Sequence, residues 1–449
     1  MITVLLYIAG VLLVALGIGI SIALHEVGHL VPAKKFGVKV KQYMIGFGPT
    51  IYSKKKGDTE YGIKAIPLGG YISMIGMLPP TAHDAPGTVR STSTGMFQSL
   101  AEDARKFSAE EIGPGDENRV FYKLPIYKRV IIMLGGPFMN IVIAFVLFSI
   151  LITTFGVAKP TTQVASVSQC VVSVQEMKNQ QREECLPDDP KAPAAVAGIK
   201  PGDKITGFNG TTVTSWDLLS EQIRDSAGKP VALTVNRNGK TETLQVTPIL
   251  SERPETDALG MPIKDSAGNY VTLKVGFLGI GPTSEMQKQP LGAVFPMIGN
   301  NIKATVKVIL NLPQRMIDVW HAAFSDAPRD IDSPMSVVGV GRAAGEIASN
   351  DKINVTDKFA TIISLIAGLN IALFVFNLVP LLPLDGGHVA GALWEGIRRF
   401  FAKLFGRKDP GPFDLAKMLP LTYVMVGILL AMSALLIYAD IVKPISLFN

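Results

Sequence analysis

The sequence predicts an α-helical membrane protein with four transmembrane helices and one small mixed domain between the second and third of them. The mean hydropathy is +0.32, only 18% of the residues are charged, and the apolar residues are concentrated in a few blocks. An ordinary soluble domain carries about 25% charged residues. The blocks run from 2 to 24, about 131 to 158, about 360 to 384 and about 418 to 438. Each can cross a hydrocarbon core of about 30 Å as a helix.

Basic residues predict the orientation of these spans. The formal charge is +6, and the positive side chains cluster beside the apolar blocks, as at 54–56 and 398–408. No basic arm is formed, so a nucleic-acid partner is disfavoured. Because Lys and Arg beside spans mark cytoplasmic loops, residues 34–129 and 386–417 are expected in the cytoplasm. The N-terminus, residues 159–359 and the C-terminus are then expected outside it.

The segment from about 160 to 285 has the pattern of the mixed domain. Two strand-like runs, VALTVNRNG and KTETLQVTPI, flank a tight turn at Asn238–Gly239. The run SWDLLSEQIRDSAG predicts a short helix ending at Gly228. The only cysteines, Cys170 and Cys185, suit an oxidising compartment. A disulfide closing a loop of about 15 residues would contribute about 3 kcal/mol in the chain-entropy model.

Two further segments are less regular. Residues 80–120 are rich in Gly, Ser, Thr, Pro and charge, which predicts a flexible cytoplasmic insertion. Residues 300–324 have apolar positions at helical spacing with lysines between them. This pattern fits an amphipathic helix on the membrane surface, and it fits a helix packed on the outer domain equally well.

The first span ends in HEVGH, residues 25–29. Positions i and i+4 of a helix share a face, so His25 and His29 can bind one zinc ion through neutral imidazoles. Glu26 lies beside them and can accept a proton from the attacking water. The alternative is that these residues only mark the cytoplasmic end of the span. The cost of keeping them at a span end argues against that alternative.

A third zinc ligand must come from elsewhere, because catalytic zinc usually has three protein ligands and one open position. Asp385 is the best candidate, since it is the only charged residue in 359–394 and follows the third span. Asp385 and HEVGH both lie at cytoplasmic span ends, so we expect them at a similar depth in the membrane. The glycines at 386–387 let the backbone turn closely beside a metal. His388 is the rival ligand, ranked second because it lies past this turn.

Several motifs together resemble the bacterial site-2 protease family, whose members are zinc-dependent intramembrane proteases. The motifs are HEVGH at 25–29, GFGP at 46–49, IPLGGYISMIG at 66–76, GGPFMN at 135–140 and NLVPLLPLDGG at 377–387. Their order and spacing match over most of the chain. By position, the resemblance implies one catalytic Zn²⁺ bound by His25, His29 and Asp385, with Glu26 as the catalytic base.

The resemblance also implies how a substrate is bound. Residues 38–79 would form a re-entrant β-sheet whose edge, at Gly69 and Gly70, accepts an unwound substrate segment by strand addition. An ordinary cytoplasmic hairpin is the alternative for this segment. Asn140 and Asn377 match positions that handle the substrate backbone. For both, interhelical hydrogen bonding is the alternative.

The outer domain resembles a PDZ domain of bacterial proteases through AAVAGIKPGDKITGFNGTTV, residues 194–213. The chain has room for one such domain, as in the single-PDZ members of the family. The implied substrates are single-span membrane proteins, such as anti-sigma factors trimmed outside the membrane, and remnant signal peptides. The implied location is the lipid bilayer of the bacterial cytoplasmic membrane, with the active site near its cytoplasmic side.

These spans and motifs predict the domain organisation. In chain order it comprises the first span with HEVGH (1–37), the re-entrant sheet (38–79), a cytoplasmic insertion (80–125), the second span (126–158), the PDZ-like domain (159–285), an extracytoplasmic linker with an amphipathic helix (286–359), the third span with LDGG (360–388), a cytoplasmic basic loop (389–417) and the fourth span (418–449).

Two alternative functions remain open at this point. A different kind of membrane metalloprotease would use a glutamate as its third ligand, and Glu102, Glu110 and Glu111 are available in the insertion. A non-proteolytic scaffold, whose PDZ-like domain binds membrane proteins, would need no zinc. The intact HEVGH sequence disfavours the scaffold.

Overall fold

The computed structural model describes residues 2–79, 96–172, 185–255, 271–325, 329 and 333–445. The chain divides into two compact units. The first comprises Met1–Leu151 and Gly292–Asn449, and the second comprises Ile152–Leu291. The first unit is mainly helical, whereas the second is built around a β-sheet.

Among the described residues, four helical stretches are long and apolar enough to cross a membrane, which agrees with the predicted number of spans. They are Ile2–Lys35, Ile126–Phe155, Val355–Asn377 and Leu415–Val442. Large apolar side chains point outward from them, such as Leu5, which is 61% exposed, and Leu430, which is 66% exposed. Such surfaces suit hydrocarbon better than water, because burying apolar area is favourable.

The first span, α1 (Ile2–Lys35), ends in a Schellman motif. The Val38 N–H donates to the Ala33 carbonyl at 3.0 Å. The Gly37 N–H donates to the Lys34 carbonyl at 3.1 Å, and Gly37 has a φ of +83°. Glycine adopts this φ without strain, so the chain turns sharply out of the helix.

A long bent hairpin follows, formed by β1 (Val40–Lys56) and β2 (Thr59–Met74). The strands fold so that residues 42–45 pair with 60–63 on one side and with 70–73 on the other. Within the described ranges, 70–73 has no strand partner on its second side, so it forms a sheet edge. A sheet is therefore present where one was predicted.

The predicted insertion contains a helix that the sequence analysis did not identify, α2 (Met96–Glu110). Arg105 on α2 forms an ion pair with Asp414 at 2.7 Å, which ties α2 to the segment before the last span. The first part of the insertion, 80–95, lies outside the described residues. Its Gly, Ser, Thr and Pro content dominated the prediction and obscured the helix-favouring run that follows.

The second span, α3 (Ile126–Ile150), touches the first span backbone to backbone. A Cβ atom added to Gly28 would lie 2.2 Å from the carbonyl oxygen of Gly135, closer than any real contact. Small residues allow this approach between membrane helices. A π-helix, Leu151–Phe155, follows directly after α3.

The described residues of the second unit form eight strands and two short helices. They are β3 (Val157–Val167), α4 (Pro193–Val196), β4 (Lys204–Phe208), β5 (Thr211–Thr212), α5 (Trp216–Arg224), β6 (Val231–Arg237), β7 (Lys240–Val246), β8 (Ile249–Pro254), β9 (Thr272–Phe277) and β10 (Ile280–Gln287). The main sheet has the strand order β10–β3–β4–β6–β7, with β5 paired to β4. Strands β8 and β9 form a separate antiparallel pair.

Local sequence explains much of this unit. Strands β6 and β7 pair around Asn238 and Gly239, which have φ values of 52° and 84°, as the predicted tight turn requires. Helix α5 ends before the predicted Gly228, and turns fill the gap. Cys170 and Cys185 form a disulfide.

The core of the second unit is apolar, and an ion pair between the buried Asp203 and the partly exposed Arg237 borders it. Ile205, Leu219 and Leu233 are fully buried. Two hydrogen bonds from the Arg237 guanidinium hold the pKa of Asp203 below its usual value. Arg237 also donates to the Gly198 carbonyl, so the pair ties β6 to the turn after α4.

The predicted extracytoplasmic linker is mostly helical and belongs to the first unit. It contains α6 (Val294–Leu310), α7 (Leu312–Phe324) and α8 (Val337–Ser349). The single amphipathic helix predicted over 300–324 is wrong, because Pro313 cannot continue a helix and begins a new one.

These helices pack on the spans. Val319 and Ala323 of α7 are buried against Ala439 of the last span. Helix α8 packs on α1, where a Cβ atom on Gly10 would lie 2.5 Å from the Ala344 carbonyl oxygen.

The third span, α9 (Val355–Asn377), is shorter than predicted. Residues 378–384 leave the helix, since Pro380 and Pro383 lack the N–H that a helix needs. A new helix, α10 (Asp385–Leu404), then replaces the first part of the predicted basic loop.

The last span is α11 (Leu419–Val442). A short 3-10 turn, Leu415–Met418, precedes it. Together with α1, α3 and α9 it completes the set of four candidate spans in the described chain.

Candidate metal centre

Three predicted ligands meet in the structure. His25 and His29 lie one turn apart on α1, and Asp385 is the first residue of α10. The Nε2 atoms of the two histidines are 3.2 Å apart. Each lies 3.3 Å from Oδ2 of Asp385. Within the described ranges, these residues form the one cluster of three that could hold a metal ion.

The spacing fits a zinc ion. Metal–ligand bonds of about 2.0–2.1 Å in a tetrahedron place neighbouring ligand atoms about 3.3 Å apart. The His29 Nδ1–H donates to the Ile132 carbonyl at 2.7 Å, so the Nε2 lone pair of His29 remains free for a metal. Lone pairs that converge in this way repel one another unless a cation lies between them.

Asn140 orients the other histidine. Its side chain has no exposed surface, and its amide lies 3.0 Å from Nδ1 of His25. This is the interhelical hydrogen bond that the sequence left open as the alternative to a substrate contact. The structure thus shows Asn140 in contact with the His25 ring, and its contact with a substrate stays a prediction.

A cavity of about 450 Å³ opens beside the three ligands. Its wall includes Glu26, Gly69, Gly70, Tyr71, Asn377 and His388. Glu26 faces this cavity directly after the first ligand in the chain. The predicted base is therefore beside the candidate metal position and within reach of a molecule in the cavity.

Glycine is required where the sheet meets α1. A Cβ atom on Gly70 would lie 3.1 Å from Cγ of Glu26 and 3.1 Å from the Met44 carbonyl oxygen. Gly69 has a φ of +115°, and a Cβ atom there would lie 2.4 Å from the Phe47 ring. Gly70 therefore lets the sheet edge lie directly against the side chain of Glu26, and Gly69 lets the strand pass beside the Phe47 ring.

Asn377 is the last residue of α9, is half-buried and lines the cavity. Its proposed contact with a substrate stays a prediction. The rival ligand, His388, also lines the cavity, but its ring nitrogens do not belong to the converging cluster. It lies one turn beyond Asp385 on α10, which is a helix where a loop was expected.

The glycines after Asp385 act differently from the prediction. They lie inside the first turn of α10 and are buried. A Cβ atom on Gly386 would lie 2.3 Å from the Val379 carbonyl oxygen, and one on Gly387 would lie 2.6 Å from the Leu382 nitrogen. They let residues 378–384 fold back onto α10, and this places Asp385 opposite the histidines.

Sequence reasoning missed two contributors on α3. The Ile132 carbonyl is a backbone group, so no residue type marks it. Gly136 leaves room for the ligands, since a Cβ atom there would lie 2.2 Å from Nε2 of His29. Gly136 belongs to the GGPFMN motif at 135–140, and this motif could have identified it from the sequence.

Residues 13–408 match peptidase family M50. The chain belongs to peptidase family M50. Zinc metalloprotease Rip1 of Mycobacterium tuberculosis is similar, with 31% identity over 447 residues, covering 99% of this chain and 100% of that relative. Metalloprotease MmpA of Caulobacter vibrioides is 26% identical over 392 residues, which is 85% of each chain. A putative zinc metalloprotease of Clostridium acetobutylicum is 25% identical over 387 residues, covering 86% of this chain and 87% of the relative.

Membership of M50 confirms the resemblance to site-2 proteases and identifies the chain as a metalloprotease. The four apolar helices agree with a multi-pass membrane protein of this family. The scaffold alternative is not supported. A glutamate as third ligand is not supported either, because none of Glu102, Glu110 and Glu111 belongs to the converging cluster.

Proposed function

We propose that this M50 peptidase hydrolyses peptide bonds within the membrane-spanning segments of single-span proteins, using one zinc ion. The observation that supports this most directly is the convergence of His25, His29 and Asp385 within 3.3 Å of one another. The two histidines lie in the last third of the apolar helix α1, Asp385 follows the apolar helix α9, and Glu26 lines the cavity beside them.

The catalytic roles follow from the placement of each group. Zinc held by the three ligands supplies Lewis acidity, which polarises a peptide carbonyl and makes water a better nucleophile. Glu26 accepts the proton of the attacking water and returns it to the leaving amine. The Ile132 carbonyl accepts the His29 Nδ1–H and so leaves the Nε2 lone pair of His29 free, and the Asn140 amide contacts Nδ1 of His25 and holds the orientation of that ring.

The sheet edge at 70–73 is the proposed substrate platform. A substrate strand added to this edge would run past Glu26, because Gly70 lies against that side chain. Asn377, which lines the same cavity, would contact the extended backbone. A transmembrane helix satisfies its own backbone groups, so the substrate must unwind locally before it can pair in this way.

The proposed substrate class comes from the resemblance to site-2 proteases. It comprises anti-sigma factors already trimmed outside the membrane, and remnant signal peptides. Both have one membrane span and a short outer part, which suits a cavity of limited size.

The second unit is proposed to be a PDZ-like domain over 159–285. Its antiparallel sheet has a free edge strand, β10, among the described residues. A cavity of about 210 Å³ lies between α5 and residues 275–280, which comprise the end of β9, the following turn and the first residue of β10; Trp216, Ile223 and Ile280 are among its lining residues. A groove between an edge strand and a helix is suited to binding an extended peptide.

We place this unit outside the cytoplasm and the metal centre near the cytoplasmic side of the membrane. The Cys170–Cys185 disulfide supports the first placement, because disulfides persist in oxidising compartments. Lys34 and Lys35 at the end of α1 support the second placement, because basic residues mark cytoplasmic span ends. The sheet at 38–79 would then enter the membrane from the cytoplasmic side.

Reporter fusions test this orientation. We expect a reporter after Gly228 and a reporter after Gly406 to lie on opposite sides of the membrane, since one span, Val355–Asn377, separates them. Alkaline phosphatase activity should be high for the first fusion and low for the second. Equal activity at both positions would contradict the four-span orientation.

Reconstituted protein tests the reaction itself. Purified protein in liposomes, supplied with a single-span substrate, should cleave it within the span. The activity should disappear with a zinc chelator and return with added Zn²⁺. Cleavage that persists in metal-free protein would refute the proposed chemistry.

A further inference from the structure

The second span contacts both histidine ligands of the proposed metal centre. The Ile132 carbonyl accepts the His29 Nδ1–H at 2.7 Å, and the Asn140 amide lies 3.0 Å from His25 Nδ1. Both contacts come from α3, although α1 supplies the histidines. Such outer contacts fix the direction of metal-binding imidazoles.

Asp385 reaches the centre from a different helix. Apart from the two histidines, its Oδ2 atom has no hydrogen-bond partner in the part of the chain that the structure describes. It begins α10, and the preceding Leu384 supplies no side-chain cap. The place of this carboxylate therefore depends on how α10 as a whole is held against α3.

Glu395 joins α10 to α3. Its side chain is fully buried, and its carboxylate accepts a hydrogen bond from Nη2 of Arg129 on α3 at 2.6 Å. The same carboxylate accepts the Phe413 N–H at 2.8 Å and lies 3.0 Å from the Arg399 guanidinium. Glu395 follows Asp385 on one helix, about 15 Å along its axis at 1.5 Å per residue.

We propose that Arg129 and Glu395 are positioning residues of the metal centre, whose ion pair sets where Asp385 stands relative to the two histidines. All three ligands then take their positions from α3: the histidines through direct contacts, and Asp385 through α10 and the ion pair. Ligand geometry must hold within about 0.5 Å, so a small shift of α10 along α3 weakens metal binding. This inference rests on the proposed zinc function.

A second buried ion pair provides a matched control. Asp440 near the end of α11 pairs with Arg329 at 2.6 Å, and the exposed fractions of their side chains are 3% and 2%. Asp440→Asn therefore removes the same kind of interaction, but from neither α3 nor α10. A loss of fold stability alone should affect this variant as much as Glu395→Gln.

The experiment measures metal binding by the full-length, metal-free protein in detergent. Chelator competition gives the Kd for Zn²⁺, and the visible spectrum of the Co²⁺-loaded protein reports ligand geometry. We expect Glu395→Gln to raise the Kd about 10- to 100-fold, the usual effect of outer-shell changes, and to shift the cobalt bands. Asp440→Asn should keep the wild-type Kd and spectrum.

Arg129→Lys provides a second test if Glu395→Gln does not fold. Lysine keeps the charge but loses the planar fork of the guanidinium, so the Kd should change in the same direction by a smaller factor. A folded Glu395→Gln or Arg129→Lys protein with the wild-type Kd and cobalt spectrum would overturn the inference. A wild-type protein that binds no zinc would refute the proposed function instead.

Discussion

Glu26→Gln is expected to abolish proteolysis while leaving zinc bound. The amide has nearly the shape of the carboxylate but cannot accept a proton from water. Loss of a general base lowers the rate by about 10²–10⁴-fold. The residue does not belong to the cluster of converging ligand atoms, so metal content should stay at the wild-type level. Rate and zinc content are measured on the same reconstituted sample.

Glu111→Gln is the matched control for this variant. Glu111 lies 3.5 Å from Lys41 and does not line the cavity beside the ligands. Its replacement should leave both cleavage and zinc content unchanged. Normal cleavage by Glu26→Gln would rule out Glu26 as the base.

Asp385→Asn should remove most of the zinc together with the activity. The neutral amide is a much weaker ligand for Zn²⁺ than a carboxylate, and only two imidazoles remain. Substitution of an outer contact costs about 10–100-fold in metal affinity, so loss of a ligand should exceed that range. Metal analysis after dialysis against a weak chelator measures the effect.

His388→Asn is the informative comparison for Asp385→Asn. His388 lines the same cavity but does not belong to the converging cluster, so zinc should stay bound in this variant. Zinc retained by Asp385→Asn and lost from His388→Asn would make the rival histidine the true third ligand. It would also overturn the placement of Asp385.

Much of the metal centre could be predicted because its residues obey local rules. His25 and His29 share a helix face by their spacing, which needs no knowledge of the fold. Asp385 stood out as a single charge in a long apolar stretch. The four spans could be predicted equally well, because a long run of uncharged, apolar residues by itself indicates a membrane-spanning helix.

The remaining features depend on contacts between distant segments, which local patterns do not encode. The contact of Asn140 with His25 could not be distinguished from a substrate contact, since an amide at a span position fits both. The end of α9 at Asn377 was missed because apolar composition continues to Leu384. Pro380 and Pro383 prevent the helix from continuing there, although the residues around them are apolar.

The helical character of 385–404 was missed for a related reason. Its basic residues were assigned to a loop from their charge alone, whereas Leu393, Trp394 and Ile397 recur at helical spacing. Arg129 and Glu395 are far apart in sequence, and no periodicity links them.

The contact between Gly28 and Gly135 restricts the route by which a substrate reaches the zinc ligands. The two backbones touch there, and Gly28 directly precedes His29, so separating α1 from α3 would displace a ligand. That seam is therefore closed to a polypeptide. The cavity is instead bordered by the sheet edge at 70–73 and by Leu373 and Asn377 of the third span. Under the proposed function, a substrate helix entering from the bilayer would pass on that side, and bulky residues introduced there should slow cleavage without changing the zinc content.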